Sequence, residues 1–144
     1  GIVAGYQVVD LSVEVYYGSY HDVDSSEMAF KIASSMALKE GFKKCRPILL
    51  EPIHDLTVIV PSEYMGDVMG DISTRRGRIM GMEQRGKKQY LNAQMPVAEM
   101  YFYYPALKSL TQGLGPFTQT SSHYQKVDAE IAANGIAAGH RLEA

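Results

Sequence analysis

The chain has 144 residues, 46% of them hydrophobic and 21% charged, with a net charge of −2. That balance excludes a disordered polar chain, and the length fits one ordinary domain or two very small ones. No apolar run approaches the ~20 residues needed to cross a bilayer, Gly1-Ile2-Val3 carries no signal-peptide pattern, and the single Cys45 has no disulfide partner. A reducing, cytoplasmic setting with no membrane partner is therefore expected.

The first element predicted along the chain is a half-buried strand over 8–16. Leu11, Val13 and Val15 fall on one face, and Asp10, Ser12 and Glu14 fall on the other. Gly18-Ser19-Tyr20-His21 breaks the alternation as a loop. A helix follows, with Asp24 as its expected N-cap and Glu27 three residues later, the spacing of a capping box. Ala29, Ile32, Ala33, Met36 and Ala37 recur at helical spacing as one apolar stripe. Gly41 is the expected stop, and Lys39, Lys43 and Lys44 sit near the end where the helix dipole favours positive charge.

A hinge is expected near Pro47 to Pro52. Beyond it the pattern reads strand, helix, strand, strand, helix, strand. Asp55 to Val60 is rich in β-formers and closed by Pro61. Ser62 is a candidate cap for a helix with Met65, Val68, Met69 and Ile72 along one face, ended by Gly77. Arg78 to Glu83 and Gln89 to Met95 form an expected hairpin around Arg85-Gly86-Lys87, with Leu91, Ala93 and Met95 facing inward. A second helix is expected from about Pro105 to Gln112, a last strand from Phe117 to Tyr124, and then an Ala-rich tail with a short helix.

The βαββαβ order describes an α/β (α+β) ferredoxin-like sandwich, with two helices on one face of an antiparallel sheet. The first segment, with one strand, a helix and the start of another strand, has too little chain to enclose a core. It reads as a truncated βαβ piece of a larger domain.

Catalytic motifs are missing from the sequence. There is no Walker-type phosphate loop, nucleophile elbow, zinc-protease helix or Cys-x-x-Cys pair. His21, His54, His123 and His140 are scattered, without metal-ligand spacing. Two features stand out. Positions 75 to 88 hold Arg75, Arg76, Arg78, Arg85, Lys87 and Lys88 against the single acid Glu83. Such a run is either a solvated surface or a patch that faces phosphates and positions the protein without reading sequence. His21 stands among Ser19, Tyr20, Asp22 and Asp24 just before a helix. It is either bonded within its own loop or available to RNA phosphate, ribose or base edges, with Tyr20 as a stacking surface.

Several stretches resemble elongation factor G. Gly18-Ser19-Tyr20-His21-Asp22-Val23-Asp24-Ser25-Ser26-Glu27, followed by Ala29-Phe30-Lys31, is similar to a loop and helix of that family's fourth domain. Leu50-Glu51-Pro52-Ile53 resembles the junction into its fifth domain. Glu63 to Val68, Arg75-Arg76-Gly77-Arg78-Ile79, Ser109 to Gly113 and Ser122-His123-Tyr124 follow in the family's order.

The resemblance implies residues 1–51 as the C-terminal part of the fourth domain, 52–128 as a ferredoxin-like fifth domain, and 129–144 as a tail. The family is a translational GTPase that moves tRNA and mRNA through the ribosome. The resemblance implies no cofactor in this part, with GTP and magnesium held in a GTPase domain that these residues lack. His21, with Tyr20 and Asp22, would contact tRNA and mRNA at the decoding site. Arg75, Arg76, Arg78, Arg85, Lys87 and Lys88 would contact ribosomal RNA. Its action would be mechanical, a lever whose exposed tip blocks backward movement of tRNA.

Some positions depart from the family. Leu114 replaces a common arginine, Gln119 and Ser121 replace apolar strand residues, and Tyr103-Tyr104-Pro105 alters a turn. These mark a divergent member, such as a specialised paralogue. By fold analogy alone, a small-molecule-sensing regulatory module is the alternative function.

Overall fold

The computed structural model describes residues 1–134. It divides into two compact units, one of Gly1–Leu49 with the segment after Lys126, the other of Leu50–Lys126.

In the first unit the main element is a helix, α1 (Glu27–Lys44). Residues 1–26 contain turns but no strand. The expected strand over 8–16 is thus a correction, and two physical reasons account for it. A lone alternating segment has no ladder partner to satisfy its backbone. Asp10 also adopts a left-handed φ of 54°, which interrupts an extended run. Leu11, Val13 and Val15 are exposed, and so are Ile32 and Met36 of the α1 stripe. The stripe predicted for α1 is present in sequence but buries no residue of the helix.

The start of α1 is also corrected. Its N-cap is Ser26, whose Oγ accepts a hydrogen bond from the Ala29 amide at 3.1 Å, and Asp24 lies in the preceding turn. Ser26 bonds the third amide of the helix directly, so Glu27 becomes the first helical residue and not the far end of a capping box. Gly41 sits inside the helix, which runs on to a cap at Cys45. Residues 129–134 are helical, as expected for the start of the tail, whose remainder from 135 lies outside the described residues.

The second unit realises the βαββαβ order. It comprises β1 (Leu50–Pro61), α2 (Met65–Thr74), β2 (Arg78–Arg85), β3 (Lys88–Pro96), α3 (Tyr103–Leu110) and β4 (Phe117–Lys126). The strands lie in the order β2-β3-β1-β4 and every pair is antiparallel. This is the ferredoxin-like arrangement. Leu56, Val58 and Val60 face Ala93, Leu91 and Gln89 across β1 and β3. With Met95 they turn toward the helices, where Val68 and Ile72 of α2 and Tyr103 and Leu107 of α3 complete the core. Ile72 has no exposed surface. Truncating it to alanine would cost roughly 2–5 kcal/mol through lost burial and a residual cavity.

The chain around this core is set by local chemistry. A 3-10 turn (Ser62–Tyr64) precedes α2, so Ser62 does not cap it; its Oγ instead accepts from Gln89 Nε2 at 3.3 Å. At the other end of α2, Arg76 takes the left-handed position with φ 59°. The Gly77 amide reaches back to the Ile72 carbonyl at 2.8 Å, and the Arg76 amide to that of Ser73 at 3.3 Å. These are the paired bonds of a Schellman termination. Gly77 is required there, because a Cβ would sit 2.4 Å from Ile72 Cγ2 and 2.6 Å from its carbonyl oxygen. The β2–β3 hairpin turns at Gly86-Lys87, with Gly86 at φ 63°.

Candidate nucleic-acid interface

Two exposed regions, one in each unit, carry the residues singled out in the sequence. In the first unit, the loop before α1 is closed by a reciprocal pair of bonds. The Ser25 Oγ accepts from the His21 amide at 2.8 Å, and the His21 carbonyl accepts from the Ser25 amide at 2.9 Å. These bonds fix the His21 backbone and leave its imidazole without a hydrogen bond among the described residues. Tyr20 stacks on Phe30 of α1, ring centroids 6.4 Å apart and planes 12° from parallel. Asp22 is exposed at the turn between them.

The loop therefore presents an imidazole, one phenol and one carboxylate to solvent, held against the first turn of a helix. Ser25 and Ser26 supply that support, where the sequence pattern had pointed to Asp24. The signal was present, since two adjacent serines directly before a helical glutamate offer one side chain to the loop and one to the helix.

The basic run in the second unit separates into two groups. Arg75 and Arg76 turn inward at the end of α2. Arg75 Nε donates to Asp71 Oδ2 at 2.9 Å, its Nη1 donates to the Glu99 carbonyl at 3.2 Å, and its guanidinium lies over the Tyr103 ring at 5.6 Å. Arg76 donates to both oxygens of Glu51 at 2.7 and 2.9 Å, and to Glu99 Oε1 at 3.1 Å. The bonds to Glu51, and then to Glu99, hold Arg76 further toward its charged form, against the desolvation that accompanies its burial. Both guanidinium groups spend their donors inside the fold, so they tie α2 to β1 and to the 3-10 turn Val97–Met100.

The other group is exposed. Arg78 and Arg85 lie on β2, and Lys87 and Lys88 at the hairpin turn. Arg85 forms a two-pronged pair with Glu83 at 2.9 and 3.0 Å and lies over the Tyr90 ring at 4.8 Å. Its hydrogen bonds hold the Glu83 carboxyl below the usual range and raise Arg85 further. Arg78, Lys87 and Lys88 make no ion pair among the described residues. A hairpin tip with two free ammonium groups and a nearby guanidinium suits phosphate contact.

Buried polar atoms also leave a trace. The Tyr103 hydroxyl and His54 Nδ1 are enclosed without a protein partner. Burial pushes the Tyr103 phenol well above its ordinary range, aided by the Asp71 charge and opposed by Arg75. Among the described residues no cluster of His, Cys, Asp and Glu is placed to hold a metal ion, and no helix is long and apolar enough to cross a membrane.

A family model described as elongation factor G C-terminus matches residues 48–134. Another, for elongation factor G domain IV, matches residues 1–46. The chain belongs to the elongation factor G family. A crystal structure of a Thermus thermophilus protein is similar at 46% identity and a TM-score of 0.77, over 88% of this chain and 19% of that one. The elongation factor G match thus extends across both units, and this chain spans about a fifth of the length of that solved relative. The ferredoxin-like expectation for the second unit agrees with the four-stranded antiparallel sheet.

Proposed function

We propose that these residues are the ribosome-contacting C-terminal region of a translational GTPase that drives movement of tRNA and mRNA. In this reading residues 1–51 and 52–128 act as the fourth and fifth domains. GTP and magnesium are held elsewhere in the full-length factor, which works in the cytoplasm. The observation that carries the reading is the His21 loop. Its backbone is pinned by Ser25 while its imidazole makes no hydrogen bond among the described residues, an arrangement suited to contact with RNA and not to proton transfer, which needs the ring bonded to a nucleophile or an orienting carboxylate.

The hairpin in the second unit supplies the complementary support. Lys87, Lys88 and Arg78 provide sequence-independent attraction to ribosomal RNA, with Arg85 beside them. Arg75 and Arg76 serve the same contact indirectly, by fixing the helix end from which β2 starts. The test is co-sedimentation with ribosomes at low and moderate salt, comparing the full-length factor with a Lys87→Glu, Lys88→Glu form. The reading expects weaker binding and a shallower salt dependence for the variant. Equal binding at every salt concentration would remove the hairpin from the interface.

A further inference from the structure

Within the second unit, both helices pack on the side of the sheet that carries Leu56, Val58 and Leu91. Alternation along β3 puts Lys88, Tyr90, Asn92 and Gln94 on the other side. The β2 register sets Arg85 opposite Lys88 and Arg78 opposite Gln94, so both arginines join the same face.

The side chains of this face are already ordered by one another. Thr57 Oγ1 donates to Asn92 Oδ1, and Gln94 Nε2 donates to Asp55 Oδ1, each at 2.9 Å across neighbouring strands. Arg85 is held from two directions. Glu83 accepts from its Nε and Nη2 at the rim of the guanidinium, and the group lies 4.8 Å from the centre of the Tyr90 ring. The Arg85 side chain is nevertheless 61% exposed. A planar guanidinium bonded at its rim and covered by a ring on one face keeps its second face for a stacking partner.

Charge completes the pattern. Arg78 at one end of the face, Lys88 at the other and Lys87 in the adjoining turn make no ion pair among the described residues. The two ends stand roughly 20 Å apart at the usual strand rise. The carboxylates of the same face, Glu83 and Asp55, are engaged by Arg85 and Gln94. Unpaired cations at both ends, with a flat stacking group over Tyr90 between them, complement an extended polyanion whose side groups are aromatic planes.

We propose that this open face of the sheet holds unpaired nucleotides of RNA, with one base stacked on the Arg85 guanidinium over Tyr90 and the flanking phosphates drawn to Lys87, Lys88 and Arg78. It rests on the RNA contact proposed for the hairpin and specifies the kind of RNA. A duplex offers phosphates but keeps its base faces stacked within the helix, so Arg85 adds nothing to its binding. An acidic or phosphorylated peptide offers charge without the plane.

The test titrates the 144-residue chain at low salt with a ten-nucleotide oligouridylate carrying one 2-aminopurine, a ten-base-pair RNA duplex, and inorganic polyphosphate of matched charge. Amide NMR shifts locate binding, and quenching of the 2-aminopurine fluorescence reports stacking. The proposal expects saturable shifts at Arg85, Lys88 and Tyr90, and quenching on the single strand. Arg85→Lys keeps the charge but loses the plane, so it should bind the single strand about tenfold more weakly and abolish the quenching. Unchanged core amides at Leu56, Leu91 and Ile72 show that this variant folds. Duplex or polyphosphate bound as tightly as the single strand, or undiminished binding and quenching with Arg85→Lys, would overturn the proposal and leave the charge contact standing. Shifts confined to α2 and α3 would also overturn it. If no probe shifts the hairpin, and the Lys87→Glu, Lys88→Glu factor co-sediments with ribosomes as the unmodified one does, the RNA contact itself falls and the proposal with it.

Discussion

The Arg76 guanidinium grips Glu51 with two bonds, at 2.7 and 2.9 Å, joining the end of α2 to the first residues of β1. The pair is mostly sheltered, with side chains 24% and 12% exposed, and Glu99 completes it from the other side. Arg76 also occupies a left-handed backbone position that glycine fills more easily. Its side chain compensates for that conformational cost.

Replacing Arg76 with alanine is expected to destabilise the second unit by about 2–3 kcal/mol, because Glu51 is left partly buried without a partner. Arg76→Gly removes the same side chain and relaxes the backbone, so it should be about 1 kcal/mol less harmful. Urea unfolding of the two variants checks the order. If glycine proved no better than alanine, the backbone strain assigned to Arg76 would be wrong.

Ser26 closes the first turn of α1 through one bond to the Ala29 amide. Ser26→Ala is expected to cost roughly 1 kcal/mol of helix stability, and faster hydrogen exchange at the Ala29 amide reports it. Asp24→Ala should leave that amide unchanged. Equal effects of the two substitutions would return the cap to Asp24.

Glu83 is predicted to titrate below the usual glutamate range, because Arg85 donates two bonds to its ionised form. The sign follows from that lowering. The pair contributes above the ordinary glutamate pKa and is lost as pH falls through the depressed value. NMR titration of the Glu83 side chain measures it directly, and Arg85→Ala should bring it back to the ordinary range. An unchanged midpoint in that variant would assign the lowering to another cause.

The second unit was readable because its signals agree at several levels. Alternation at Leu91, Ala93 and Met95 named the inward face, Gly86 marked the hairpin, and the Met65, Val68, Ile72 spacing marked the helix. All of these rest on contacts within Leu50–Lys126, where the core is complete. The first unit was harder for the same reason in reverse. The 8–16 segment has the period of a strand, but period specifies only a face, and a strand forms when another strand pairs with it. The split within the basic run was also hidden. Asp71 stands four residues before Arg75, and that pair was legible as helical spacing. Glu51 and Glu99 reach Arg76 across 25 and 23 residues, a contact that only the fold brings together.

The most direct test of the functional account is the His21→Ala variant of the full-length factor, with ribosome binding and translocation rate measured in the same samples. Ser25 holds the loop backbone through main-chain groups of His21, so the substitution should leave the loop in place and remove only the imidazole. The account predicts ribosome binding close to that of the unmodified factor and slower translocation. Equal translocation by both proteins would contradict it, and would make His21 a residue of the loop without a part in moving RNA.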